Sequence, residues 1–112
     1  IERDDQLLPD SHEVAFNSWT RPGVPQLQHT HIFLARLRTI LRDRHPELLE
    51  LLYRAGMSRA SMRELLPPAQ AAGYVESKAD DDLLHLWGHR ATFEYILRRH
   101  VEQLRGVTIQ HA

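Results

Sequence analysis

The chain has 112 residues, which suits one small domain with a modest hydrophobic core. Its 14 Lys and Arg residues balance 15 Asp and Glu residues, and the formal net charge of -1 argues against a nucleic-acid binder. The lack of cysteine excludes disulfides and thiolate metal sites, and the lack of a long apolar run or signal-like start leads us to expect a cytoplasmic protein that does not act at a membrane.

The first part of the chain contains the most distinctive turn. Residues 4–20 show no sustained period, so we predict a loop there. In residues 21–31, Pro22 and Pro25 each fix the backbone angle φ, and Gly23 permits backbone angles that other residues cannot adopt. This combination predicts a rigid polar turn of unusual shape. Four polar side chains of this turn are expected at the start of the next element: Arg21, Gln26, His29 and His31.

Two helices follow the turn. Apolar residues at three- and four-residue steps predict a helix from near Ile32 to residues 44–45, where Pro46 disfavours a preceding helical residue. Pro46 suits the first turn of a second helix, which Gly56 is predicted to end. The first helix is expected to keep three basic residues largely away from its apolar face: Arg36, Arg38 and Arg42.

The second half is less regular. Residues 58–66 are compatible with a short helix, and residues 80–82 with a solvated acidic turn. The short apolar run at residues 83–87 predicts a buried strand, and the helical spacing of apolar residues predicts an amphipathic helix at residues 90–105. Residues 107–109 are predicted to start another strand. Four residues at the centres of the two clearest helical stripes are predicted to be buried: Leu37, Ile40, Leu97 and Val101.

Residue types alone leave the chemistry undecided. Among eight histidines, His29 and His31 are spaced so that both rings fit one side of an extended segment, but the sequence indicates no third ligand. We therefore predict no metal site. The serines lack the glycine-flanked setting of a nucleophile, there is no glycine-rich phosphate loop, and no residue is assigned as a catalytic acid or base.

Four stretches nevertheless resemble one family in the same order: residues 1–4, 21–31, 65–83 and 89–99. The family is that of the FAD-dependent oxidoreductases of the para-hydroxybenzoate hydroxylase type, the group A flavin monooxygenases. The resemblance implies a chain that is mainly α with short β segments, forming part of an α/β, Rossmann-like FAD-binding domain. It also implies an enzyme that reduces FAD with NADPH or NADH and uses O₂ to oxidise a small organic substrate.

The resemblance further implies roles for individual residues. Glu2 matches an acidic residue that accepts hydrogen bonds from the adenosine ribose. Arg21 matches an arginine of a turn beside the flavin, and Arg90 matches a cofactor-contacting residue before a long helix. The full set of implied cofactor-binding residues is Glu2, Arg3, Arg21, Gly23, Val24, Gln26 and Arg90. Leu27 and Gln28 depart from the family, which has a glycine and a basic residue there.

We interpret residues 1–112 as a single segment of such a domain, incomplete and inactive alone, whose partner is the missing remainder of its fold. Ile1 and residues 107–109 are predicted to be strand ends that lack neighbours. Such a segment should show little or no complete sheet, an exposed apolar surface beside the helix at residues 90–105, and no well-formed FAD pocket. The alternative is a small helical protein-interaction module without catalysis, whose exposed leucines in residues 48–53 bind a partner helix.

Overall fold

The computed structural model of this chain describes residues 6–110, so Ile1, Glu2 and Arg3 lie outside the described part. This part of the chain forms six α-helices: α1 (His12–Ser18), α2 (Ala35–Arg44), α3 (Pro46–Arg54), α4 (Met62–Leu65), α5 (Pro68–Ala71) and α6 (Arg90–Glu102). Three strands are β1 (Thr30–Phe33), β2 (Ser58–Ala60) and β3 (His85–His89), and a 3₁₀ helix covers Lys78–Leu83. The predicted class, mainly α with short β segments, is confirmed. No helix within residues 6–110 has both the length and the apolar character that crossing a membrane requires.

The strands form one antiparallel sheet in the order β1-β3-β2. Thr30 is opposite His89, and Ser58 is opposite Trp87. The prediction of little or no complete sheet is therefore wrong, because the partners of the central strand come from within the chain. The strand predicted at residues 107–109 is also wrong: Val107 N donates to Leu104 O at 3.2 Å, which closes a turn after α6.

Four elements differ from what was predicted. β2 takes residues 58–60 of the short helix predicted for residues 58–66. The buried strand predicted at residues 83–87 is β3, which covers His85–His89 and leaves Leu83 and Trp87 exposed. The loop predicted for residues 4–20 contains α1, whose N-cap Ser11 accepts a hydrogen bond from Val14 N at 3.2 Å. The helix predicted from Ile32 starts instead at Ala35, because residues 30–33 pair with β3. The apolar residues Ile32 and Phe33 happen to fit the three- and four-residue spacing of the helix that follows. Their backbone pairing with β3 decides their conformation, so they form a strand.

The locally encoded helix boundaries agree with prediction. The first predicted helix ends at Arg44, and Pro46 begins α3. Gly56 follows α3 with φ 96°, a left-handed conformation that glycine adopts without steric penalty. The end of the last helix at Glu102 is close to the predicted end at residue 105.

Within residues 6–110 the core consists of two clusters. One packs α2 and α3 against the sheet and contains Leu41, Leu48, Leu49, Leu52, Met57 and Leu86. The other packs α1 and the polar turn against α6 and contains Ala15, Trp19, Leu27, Ala91 and Tyr95. These clusters hold the sheet and the turn on neighbouring parts of α6.

The predicted burial of the helical stripes is wrong in part. Leu97 is 36% exposed, because α6 turns Ala91, Thr92 and Tyr95 inward instead. Three other predicted core residues are only partly buried: Leu37, Ile40 and Val101. Two apolar side chains that follow the end of α6 are also exposed, Leu104 and Val107.

Arg38 is the main exception to the predicted polar face of α2. Its residue is only 5% exposed, its Nε donates to Tyr53 Oη at 3.1 Å, and its Nη1 donates to the backbone oxygen of Asp81 at 2.9 Å. The 3₁₀ helix lies over this face and supplies the acceptor at Asp81, while α3 supplies Tyr53. Asp81 and Asp82 also accept from Arg42 Nη1 at 2.8 Å and 2.7 Å, so the acidic stretch anchors α2 and is more than a solvated turn.

Candidate functional site

The polar turn at residues 21–29 is held by consecutive backbone hydrogen bonds. Val24 N donates to Arg21 O at 2.8 Å, Leu27 N donates to Val24 O at 3.0 Å, and His29 N donates to Gln26 O at 3.0 Å. Each bond closes three peptide units into a tight turn, and the two prolines restrict the backbone between them. The predicted rigid turn is thus present in the structure.

The turn is attached to the N-terminal end of α6. Arg90 N donates to His29 O at 3.1 Å, which joins the end of the turn to the first residue of the helix. Leu27 and Trp19 are buried in the second core cluster, and Gln28 Nε2 donates to Trp19 O at 2.8 Å. These contacts give the turn a defined position relative to the side chains of the first turns of α6.

A three-residue ionic network lies where the turn meets α6. Glu94 Oε2 accepts from Arg21 Nη1 at 2.6 Å, and Glu94 Oε1 accepts from Arg90 Nε at 2.6 Å. The Arg21 and Glu94 side chains are 17% and 14% exposed, whereas that of Arg90 is 35% exposed. The guanidinium carbon of Arg21 also lies 5.5 Å from the centre of the Trp19 ring, within the range of a cation–π contact. One carboxylate therefore orients two arginines that are distant in sequence.

The same region retains groups that a ligand can reach. Arg90 uses Nε for Glu94, and its two Nη groups donate no hydrogen bond to any residue in the described range 6–110. Gly23 is exposed, and a Cβ atom built there would meet nothing within 4 Å, so the backbone is open to close approach. A shallow cavity of about 270 Å³ adjoins the turn and is lined by Trp19, Thr20, Arg21, Pro22, Val24, Pro25, Leu27 and Gln28.

The described members of the predicted cofactor set occupy this one region. Arg21 and Arg90 share Glu94, and the turn carries Gly23, Val24 and Gln26. Gln26 is exposed, whereas Val24 packs partly buried against the second core cluster. Glu2 and Arg3 lie outside the described residues.

Sequence reasoning missed two parts of the site. Glu94 follows Arg90 by four residues on a predicted helix, the spacing of an ion pair, so this signal was present in the sequence. Trp19 had no comparable signal because its partners come from α6 and the turn.

The ring of His31, the second residue of β1, lies against the end of the turn. His31 Nδ1 lies 3.1 Å from His29 O, so this ring contacts the backbone of the turn. The exposed leucines proposed for an interaction module are also mostly absent from the surface, since Leu48, Leu49 and Leu52 are buried in the first core cluster. Leu51 alone among the leucines of residues 48–53 is exposed. The interaction-module alternative thus loses the surface on which it was based.

Comparison with protein-family models, with curated proteins and with solved structures finds no match for this chain. Its own side chains and distances are therefore the guide to its function.

Proposed function

We propose that this chain forms part of the FAD-contacting region of an FAD-dependent oxidoreductase of the para-hydroxybenzoate hydroxylase type. In this proposal it is a segment of an α/β, Rossmann-like FAD-binding domain. The whole enzyme uses NADPH or NADH as reductant and O₂ as oxidant to hydroxylate or otherwise oxidise a small organic substrate.

The observation that carries the proposal is the shared carboxylate of Glu94. It binds Arg21 at 2.6 Å and Arg90 at 2.6 Å, and these are the two arginines that the family resemblance relates to the cofactor. The two stretches are separated by α2, α3 and most of the sheet, and nothing in local sequence requires them to meet. Because Arg21 and Arg90 are brought to the same carboxylate, their positions support a shared role in binding the cofactor.

The residues of the site fit a cofactor of this chemistry. Arg90 has Nη donors available, and a guanidinium makes paired, charge-assisted hydrogen bonds to phosphate or carbonyl oxygens. Arg21 is held between Glu94 and the Trp19 ring, which positions its guanidinium beside the turn for contact with the cofactor. The open backbone at Gly23 allows a flat or bulky group to approach.

The size of the site limits the contact to part of FAD. The cavity beside the turn has a volume of about 270 Å³, below the roughly 300–1,000 Å³ of ordinary ligand pockets. When bound, FAD supplies the hydride acceptance and the reaction with O₂, for which protein side chains are not suited. The residues of this site bind and orient one portion of it, and Glu94 keeps Arg90 in position.

The test uses the protein produced from its entire coding sequence. We expect a yellow protein with the two visible absorbance bands of a flavin. Arg90→Gln should weaken FAD binding by about 1.5–3 kcal/mol, roughly 10- to 150-fold in dissociation constant, because it removes a charge-assisted donor. Arg99→Gln is the matched control, since Arg99 is an exposed arginine of the same helix.

Circular dichroism establishes that both variants are folded before titration. A colourless protein that takes up no FAD would refute the proposal. Equal FAD affinity in the Arg90→Gln and Arg99→Gln variants would remove Arg90 from the site.

A further inference from the structure

We infer that His45, Glu47 and His100 form a binding site for a zinc ion. His45 is the residue before α3, Glu47 lies in the first turn of α3, and His100 lies in the last turn of α6. Glu47 Oε1 is 3.9 Å from His45 Nδ1 and 3.7 Å from His100 Nε2. One possible ligand atom of each residue lies within 4.8 Å of those of the other two. The site is separate from the Glu94 network and does not depend on the proposed FAD function.

The three side chains have no other polar role in the described structure. Within residues 6–110, none of them forms a side-chain hydrogen bond to another residue, and both distances to Glu47 exceed hydrogen-bond length. Ligand atoms at about 2.0–2.2 Å from one tetrahedral zinc lie about 3.4 Å apart. The two distances to Glu47 exceed this value by a few tenths of an ångström, and the ligand nitrogens of His45 and His100 lie within 4.8 Å of each other, so side-chain rotations at the exposed His45 and Glu47 bring the three atoms to one ion.

The donor set selects the class of cation. Two imidazole nitrogens and one carboxylate oxygen suit zinc and neighbouring transition metals, whereas calcium and magnesium prefer oxygen ligands alone. Three protein ligands leave the fourth tetrahedral position to water. The Glu47 side chain is 58% exposed, which gives the ion and this water an open approach.

Zinc bound here would link two helices that already pack together. His100 comes from α6, and the other two ligands come from the start of α3. The His100 side chain is only 14% exposed, so its ring is held against the protein before any ion arrives. Because one ligand is already positioned and the other two are separated only by Pro46, the entropy lost on binding is reduced.

The experiment is a calorimetric titration with Zn²⁺ of the tag-free protein produced from its entire coding sequence, in a buffer that does not chelate metals. We expect one ion per chain. Glu47→Gln and His100→Gln should each weaken binding at least about tenfold, since removal of even an outer partner of a metal ligand costs 10- to 100-fold. Co²⁺ titration provides a second readout, because tetrahedral coordination intensifies the visible absorption of this ion.

The matched control is His29→Gln, which removes an exposed imidazole from the polar turn and should leave zinc affinity unchanged. Absence of stoichiometric binding would overturn the inference. It would also be overturned if His29→Gln weakened binding as much as His100→Gln, or if His100→Gln bound zinc normally. If His100→Gln does not fold, Glu47→Gln decides alone, because its side chain is largely exposed.

Discussion

Glu94→Gln is the most direct test of how the turn is held against α6. The carboxylate of Glu94 accepts from Arg21 at 2.6 Å and from Arg90 at 2.6 Å. The glutamine side chain has nearly the same shape, but its amide carries no charge and presents one acceptor and one donor. The amide NH₂ would therefore face one of the two guanidinium groups.

The expected loss of stability follows from the burial of the network. Hydrogen bonds to charged groups contribute about 1.5–3 kcal/mol, and removing one partner of a fully buried ion pair costs about 3–5 kcal/mol. The Arg21 and Glu94 side chains retain 17% and 14% exposure, and Arg90 is more exposed, so water screens part of the effect. We expect Glu94→Gln to lower the free energy of unfolding by about 2–4 kcal/mol.

Urea denaturation followed by circular dichroism at 222 nm measures this loss as a lower midpoint at unchanged slope. Glu50→Gln is the matched control, because Glu50 also pairs with an arginine four residues away, Arg54, but both side chains are more than half exposed. The control should change stability by about 0.5 kcal/mol or less. If both variants lose the same small amount, the Glu94 network does not hold the turn.

Two further predictions concern the core and the acidic stretch. Leu86→Ala, at a fully buried position of β3, should lower the free energy of unfolding by about 2–5 kcal/mol. Leu97→Ala, at a 36% exposed position, should lower it by about 1 kcal/mol or less, and equal losses in urea denaturation would contradict the observed packing. The Tyr74 hydroxyl donates to Asp80 at 2.7 Å and lowers the pKa of that carboxyl below its ordinary value of 3.8, so NMR titration of Tyr74→Phe should show this pKa raised toward 3.8. An unchanged Asp80 pKa in the Tyr74→Phe variant would show that the Tyr74 hydrogen bond does not lower it. Because the pKa of Asp80 is lowered in the folded state, the ionised carboxylate stabilises the fold above pH 3.8, and this stabilisation is lost as the pH falls through the lowered pKa.

The sequence by itself determined the features that depend on neighbouring residues. Pro46 both ends α2 and begins α3, because its ring restricts the residue before it and needs no amide donor in the first turn. Gly56 follows α3 with a positive φ for the same kind of local reason. The rigid turn at residues 21–29 was also predictable, since prolines and glycine restrict the chain wherever it is placed.

Tertiary structure decided whatever depends on partners distant in the chain. Ile32 and Phe33 fit the helical spacing of the residues after them, yet they form part of β1 because β3 offers hydrogen bonds to their backbone. Arg38 is buried because the 3₁₀ helix brings acceptors over α2. The binding of Arg21 to Glu94, and the approach of His45 to His100, likewise depend on how α6 packs. The spacing of apolar residues shows which side of an element is apolar, but it does not show which other part of the chain packs against that side.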